Sequence, residues 1–247
     1  SFENYRNRRI NKVLSELSTI SIDDMMNLQY DNFNLKAAES LPFFLQQLDI
    51  SKLSEDEKKA YDILKSWDYV NSKEAEGASY YEAWWTNFLS LVWDVLRKEK
   101  IVLSRPTSFN TIKLAQEKPD FTFFDIQDTQ EKETASDVIR KAFTFGVEDI
   151  VDWVAEHSDT TQATGITATP KWADYKDSYL THLLRMEPLN IHLKAGGGRD
   201  IVNAHSRTHG PSWRMVVSLE KSGVRAWGTY PGGQSGNLGS PHYTDML

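Results

Sequence analysis

"WRMVVSLEKSGVRAWGTY" (residues 213–230) reads as two strands joined by a short turn. "WRMVVSLE" and "VRAWGTY" are rich in β-branched and aromatic residues, and "KSG" between them suits a hairpin connection. Trp213, Met215, Val217 and Leu219 share one face, while Val216 lies on the other. A strand that is apolar on both faces belongs inside a layered structure. The hairpin is therefore expected to be buried within a larger sheet. No other stretch of the chain supplies convincing partner strands, so the remainder of that sheet is expected on another chain or on a segment that has been removed.

Working outward, ten of the thirteen glycines lie from Gly196 onward. The stretch after the hairpin, "GTYPGGQSGNLGSPHY" (228–243), carries Tyr230, Pro231, Gln234, Asn237, Pro241, His242 and Tyr243 among its glycines. These residues suit ordered turns rather than a random-coil linker. Gly232, Gly233, Gly236 and Gly239 are read as sharp-turn positions, with Gln234, Ser235 and Asn237 satisfying buried main-chain groups. Upstream, residues 1–185 carry helical periodicity. Ser21 followed by Asp24, and Ser54 ahead of "EDE", mark two helix starts. "LKAAESLPFFLQQLD", "SYYEAWWTNFLSLVWDVLRKE" and "TASDVIRKAFTFGVEDIVDWVAEH" show apolar residues at helical spacing, with Gly146 a weak point in the last. The fold class expected is α+β: a mostly helical region over 1–185, then a glycine-rich segment and β-hairpin over 186–247.

Composition narrows the function. The chain has 247 residues, 40% of them hydrophobic and 12% aromatic, enough for a large core. A net charge of −7 and the lack of a long basic stripe argue against nucleic acid as a partner. There are no cysteines, which excludes disulfides and thiolate chemistry. No apolar run reaches the ~20 residues that span a bilayer, and "SFENYRNRRI" is too polar for a signal peptide.

Several constellations fail as sites. "GGGRD" (196–200) lacks the context of a phosphate loop and reads as a turn needing positive φ. His205, His209 and His242, with Asp200 and Asp245, fit no metal-ligand spacing, so hydrogen bonding accounts for them better. "HSRTHG" has no nucleophile–base partner set. "DIQDTQEKE" (125–133) lacks the glycine and terminal Glu of a calcium loop. Asp23 and Asp24 are helix-start charges. Tyr81, Trp84, Trp85 and Phe88 form an aromatic stripe that is read as core, with a ligand or partner groove as the alternative. Arg6, Arg8 and Arg9 are the exception. They precede an amphipathic helix carrying Ile10, Val13, Leu14 and Leu17, and cations there oppose the helix dipole, so stability does not explain them.

"YRNRRINKVLSE", "SIDDMMNLQYDNFNLKAAESLPFFLQQL", "LKSWD", "GGGRDIVNA", "HGPSWRMVVSLE" and "GGQSGNLGSPHY", in that order and over nearly the whole chain, resemble the penicillin acylase (penicillin amidase) family. The resemblance implies an N-terminal-nucleophile amide hydrolase. Its precursor cuts itself, and the second chain then begins with a catalytic Ser, Thr or Cys whose own α-amino group is the base. It implies a four-layer αββα sandwich with a large helical excursion, of which this sequence resembles the C-terminal part of the second chain, truncated at both ends. By the same resemblance Arg6, four residues before Ile10, matches the arginine beside the active site, with Arg9 as the alternative register. The nucleophile and an oxyanion asparagine are expected upstream, and Ser1 is expected to be a cloning or cleavage remnant, leaving this polypeptide inactive alone. The implied substrates are N-acyl compounds, β-lactam side chains or N-acyl homoserine lactones. The implied partners are the other segments of the precursor, the implied location is periplasmic or secreted, and no cofactor or metal is implied. A non-catalytic helical binding module and an inactive family member are the alternatives.

Overall fold

The computed structural model describes residues 5–98, 105–158 and 169–246. It is α+β, with helices dominating and two small antiparallel hairpins. The helices are α1 (Tyr5–Glu16), α2 (Ile22–Gln29), α3 (Leu35–Leu45), α4 (Glu55–Ser66), α5 (Glu76–Val92), α6 (Asp94–Lys98), α7 (Ser108–Glu117), α8 (Ala135–Ser158) and α9 (Trp172–Lys176). The strands are β1 (Ser178–Leu180), β2 (Ile191–Leu193), β3 (Arg214–Glu220) and β4 (Gly223–Thr229). Among the described residues no helix is long and apolar enough to cross a membrane. The chain divides into two compact units, the first built on α3 to α8 and the second on α1, α2, residues 70–74 and everything from Trp172 onward.

In the first unit α5 and α8 pack as a pair. Their crossing explains Gly146: a Cβ there would stand 2.7 Å from the backbone nitrogen of Trp84. The glycine is thus a close-approach point between two helices, not the weak spot that propensity alone implies. Trp84 then donates its indole N–H to the Ile139 carbonyl at 2.9 Å and its ring meets Phe143 at 4.6 Å. Tyr81, Trp84, Trp85 and Phe88 are each at most 3% exposed, and Phe44 of α3 packs its ring 4.9 Å from that of Phe88. The aromatic stripe is core, and the groove alternative loses its groove. Helix α4 opens on a full capping box, with Ser54 and Glu57 exchanging hydrogen bonds, and Thr144 of α8 donates to the same Glu57 carboxylate at 2.6 Å.

In the second unit α2 opens on the other expected capping box, Ser21 with Asp24. Strands β3 and β4 pair from Arg214↔Thr229 to Glu220↔Gly223, closing on the two residues Lys221 and Ser222. Gly223 has φ +134°, which only glycine adopts without strain. The burial of the hairpin differs from expectation. Val216 and Trp227 pair across its half-buried face, beside Met26 and Tyr30 of the α2 region, while the apolar-rich face of Trp213, Met215, Val217 and Leu219 is exposed. A two-stranded ribbon has only one face to lay on a helix, and here that face is the one led by Arg214. Strands β1 and β2, Ser178↔Leu193 to Leu180↔Ile191, fall partly in the stretch read as helical. Three residues per strand are too few to show a period.

The glycine-rich tail is ordered by turns. Ser235 N–H donates to the His242 carbonyl at 3.0 Å and Met246 N–H to the Gly232 carbonyl at 2.9 Å, while Tyr243 donates its hydroxyl to the Leu189 carbonyl. Gly233 sits so close to residues 242 and 243 that a Cβ would come within 2.2 Å of a carbonyl oxygen. Ser235 and Asn237 do not serve buried groups as expected. Each accepts a hydrogen bond from a backbone N–H two residues on, at an exposed position.

Candidate functional site

The arginines at the start of α1 meet two loops of the second unit. Arg9 lays its Nε and Nη2 on the same carboxylate oxygen of Asp31, at 3.0 and 2.6 Å, and its guanidinium lies 4.5 Å from the Phe33 ring centroid. The other Asp31 oxygen accepts the Phe33 N–H at 2.9 Å, so the carboxylate is held from both sides. Arg6 has different partners. Its Nε donates to the Ile201 carbonyl at 3.0 Å and its Nη2 to the Arg199 carbonyl at 2.6 Å. These are neutral backbone groups, and the side chain is otherwise exposed.

The loop that receives Arg6 is the "GGGRDIVNA" stretch, and its shape depends on close backbone contacts. Gly197 has φ +80°, and a Cβ there would fall 2.2 Å from the Asn203 carbonyl oxygen. Its N–H donates to the Asn71 carbonyl at 2.9 Å, and its carbonyl accepts the Trp172 indole N–H at 2.7 Å. Asn203 closes the loop. Its carbonyl accepts from Gly198 N–H at 3.0 Å, its N–H donates to the Asp31 carbonyl at 3.0 Å, and its amide donates to Asn32 Oδ1 at 2.8 Å. Its own Oδ1 accepts from Arg214 Nη2 at 2.5 Å. The carbonyls of residues 199 and 201 are thereby fixed where the Arg6 fork reaches them.

A sequence model of the penicillin amidase family matches residues 1–247, the whole chain. The chain belongs to the penicillin amidase family. No curated protein matches it. The acylase-type amide hydrolase chemistry of that family is therefore the general activity to set beside the geometry.

The candidates offered by the sequence do not all meet in one place. His242 pairs with Asp245 at 2.7 Å, and His209 shares a 3.0 Å hydrogen bond with Thr208. His205 is half-buried. Burial first, then the positive charges of Lys176 and Arg214, hold its imidazole down at about 4. Ser1 lies outside the described residues.

The structure adds groups that sequence reasoning passed over. Lys176 is 8% exposed, and its ammonium donates to the carbonyls of Ala195, Gly196 and His205 at 2.8, 2.7 and 3.0 Å. Burial lowers it to about 8. A lysine ending "WADYK" reads as an exposed cation, so nothing in the sequence signals this. Asn32, Asn71, Asn203 and Arg214 form the hub beneath the Arg6 loop. Asn71 and Asn203 are at most 6% exposed, and buried amides of this kind hold register by hydrogen bonding both ways.

Proposed function

We propose that this member of the penicillin amidase family hydrolyses the amide bond of N-acyl compounds, such as the acyl side chain of a β-lactam or an N-acyl homoserine lactone, in the periplasm or outside the cell. In the proposed reaction a hydroxyl or thiol at a chain N-terminus attacks the amide carbonyl and passes its proton to the neighbouring α-amine. The tetrahedral oxyanion collapses, the leaving amine takes up that proton, and water then releases the acyl group as a carboxylate. The nucleophile is not assigned to a residue of this chain. The match over all 247 residues carries the reading. As an element of the second unit, the hairpin leaves the face of Met215, Val217 and Leu219 exposed, which supports its being one part of a larger sandwich completed by other segments of the enzyme.

Within that reaction we assign Arg6 to the active site, where it orients polar substrate groups and the surroundings of the nucleophile. Arg9 is engaged by a carboxylate that neutralises it, whereas among the described residues Arg6 is bonded to backbone carbonyls and to no carboxylate. That contrast supports Arg6 over Arg9. The test is steady-state hydrolysis of a chromogenic N-acyl anilide by the mature enzyme. Arg6→Ala should lower kcat/KM by about a hundredfold or more, the scale of a lost transition-state donor. Arg6→Lys should recover part of this, because the charge returns without the planar fork. Arg9→Ala should instead weaken folding, since it strands the Asp31 carboxylate. Full activity in Arg6→Ala would remove the assignment.

A further inference from the structure

A cleft of about 640 Å³ opens in the second unit between the two hairpins and the loop of residues 205–212. Its size is that of a small-molecule site. Among the described residues its lining carries Lys194, Arg207 and Arg214 together with His192, His205 and His209, and no Asp or Glu. The floor is the informative part. Ala195 and His205 line it, and Lys176 lies directly beneath, bonded to the carbonyls of both. Arg214 flanks it, bonded to the Gln29 carbonyl at 3.0 Å and to Asn203, with its guanidinium 4.2 Å from the Tyr30 ring centroid. The partners of both cations among the described residues are therefore carbonyls, an amide oxygen and the rings of Trp172 and Tyr30, which leave two positive charges uncancelled in a partly desolvated place. At the rim the balance differs: Arg207 and His192 are braced by Asp177, His192 also by Glu187, and Lys194 by Asp174. Excess positive charge is thus concentrated at the bottom of the cleft.

The walls add a second preference. Tyr30, Tyr179 and Tyr230 line the cleft along with Leu180, Pro231 and Met246. The Tyr230 ring stacks on Trp213 at 6.1 Å, and the Tyr179 ring stands 5.5 Å from that of His192. Flat apolar walls above a cationic floor suit a ligand with a planar body and one anionic end.

We propose that this cleft is a binding site for a small aromatic carboxylate, with its anionic group seated on the floor over Lys176 and beside Arg214. Arg6 does not line it, while Arg214, which does, also holds Asn203 of the loop that receives Arg6. Such a ligand supplies a counter-charge that no carboxylate among the described residues gives Lys176 or Arg214, so sign decides binding more than shape does.

Isothermal titration of the intact protein with indole-3-acetate and with tryptamine, the same ring carrying opposite charges, tests this directly. Indole-3-acetate should bind at least about tenfold more tightly than tryptamine, and the difference should shrink as salt is added. Arg214→Gln should weaken indole-3-acetate by a similar factor. Because that variant also loses the Asn203 contact, the deciding readout is made on the unaltered protein. The ring resonances of His205, followed by NMR, should titrate at a higher pH when indole-3-acetate is bound, since a nearby anion favours the imidazolium. Equal affinity for the two probes, no binding of either, or binding that leaves His205 unmoved would each overturn the proposal.

Discussion

At Asn203 main chain and side chain act together: one residue closes the glycine loop, ties it to residues 31 and 32, and accepts one arm of the Arg214 guanidinium. His205, two residues on, feels the consequence. Its ordinary value of 6.5 is lowered to about 4, chiefly by burial and then by Lys176 and Arg214. Between those values the unfolded chain binds a proton that the folded chain refuses, so stability is whole above 6.5 and declines as the pH falls toward 4. His205→Asn should flatten that stretch. Urea melts at about pH 7 and about pH 4.5 should show a smaller loss in the variant than in the parent, whereas equal losses would contradict the account. Carboxylates held below 3.8, such as Asp24 by the Ser21 hydroxyl and Asp137 by the Thr134 hydroxyl, act at lower pH and do not confuse the comparison. The two capping boxes were legible in the sequence because both partners lie three residues apart. Asn203 was not, because its partners at residues 31 and 32 lie more than half the chain away. The Arg6 cluster was legible as a breach of the dipole rule and through the family resemblance; its partners at 199 and 201 were not, being equally remote.

The helices were legible wherever a long apolar period runs, as in α5 and α8, and the tight turn of β3–β4 announced itself through Gly223. The short β1–β2 pair was not legible, since its register is set by tertiary contacts rather than by any pattern of its own. Gly146 shows where local propensity misleads. Judged alone, Gly146→Ala on α8 should gain about 1 kcal/mol of helix stability. Against α5 the new methyl meets the Trp84 backbone at 2.7 Å, and backbone cannot yield as a flexible side chain can. The overpacking cost of roughly 1–3 kcal/mol should outweigh the gain. A thermal melt should therefore show a lower Tm, by up to several degrees. A raised Tm would mean that the helices do not approach each other as described.

For the molecule as a whole, the hairpin is the point where sequence and structure differ most usefully. Its apolar residues read as buried on both faces, yet the face of Met215, Val217 and Leu219 meets solvent. In the proposed sandwich that face would be covered, which would account for the apolar pattern. The same proposal makes hydrolysis pass through an acyl-enzyme, and this is the claim to test first. The mature enzyme would be given one acyl group on three leaving groups, an anilide, a primary amide and an ester, each with a fixed concentration of hydroxylamine. Hydroxamate and free acid would then be measured together. The account predicts one ratio of hydroxamate to acid for all three, because a single acyl-enzyme partitions between hydroxylamine and water. A ratio that changes with the leaving group, or turnover with no hydroxamate at all, would contradict it.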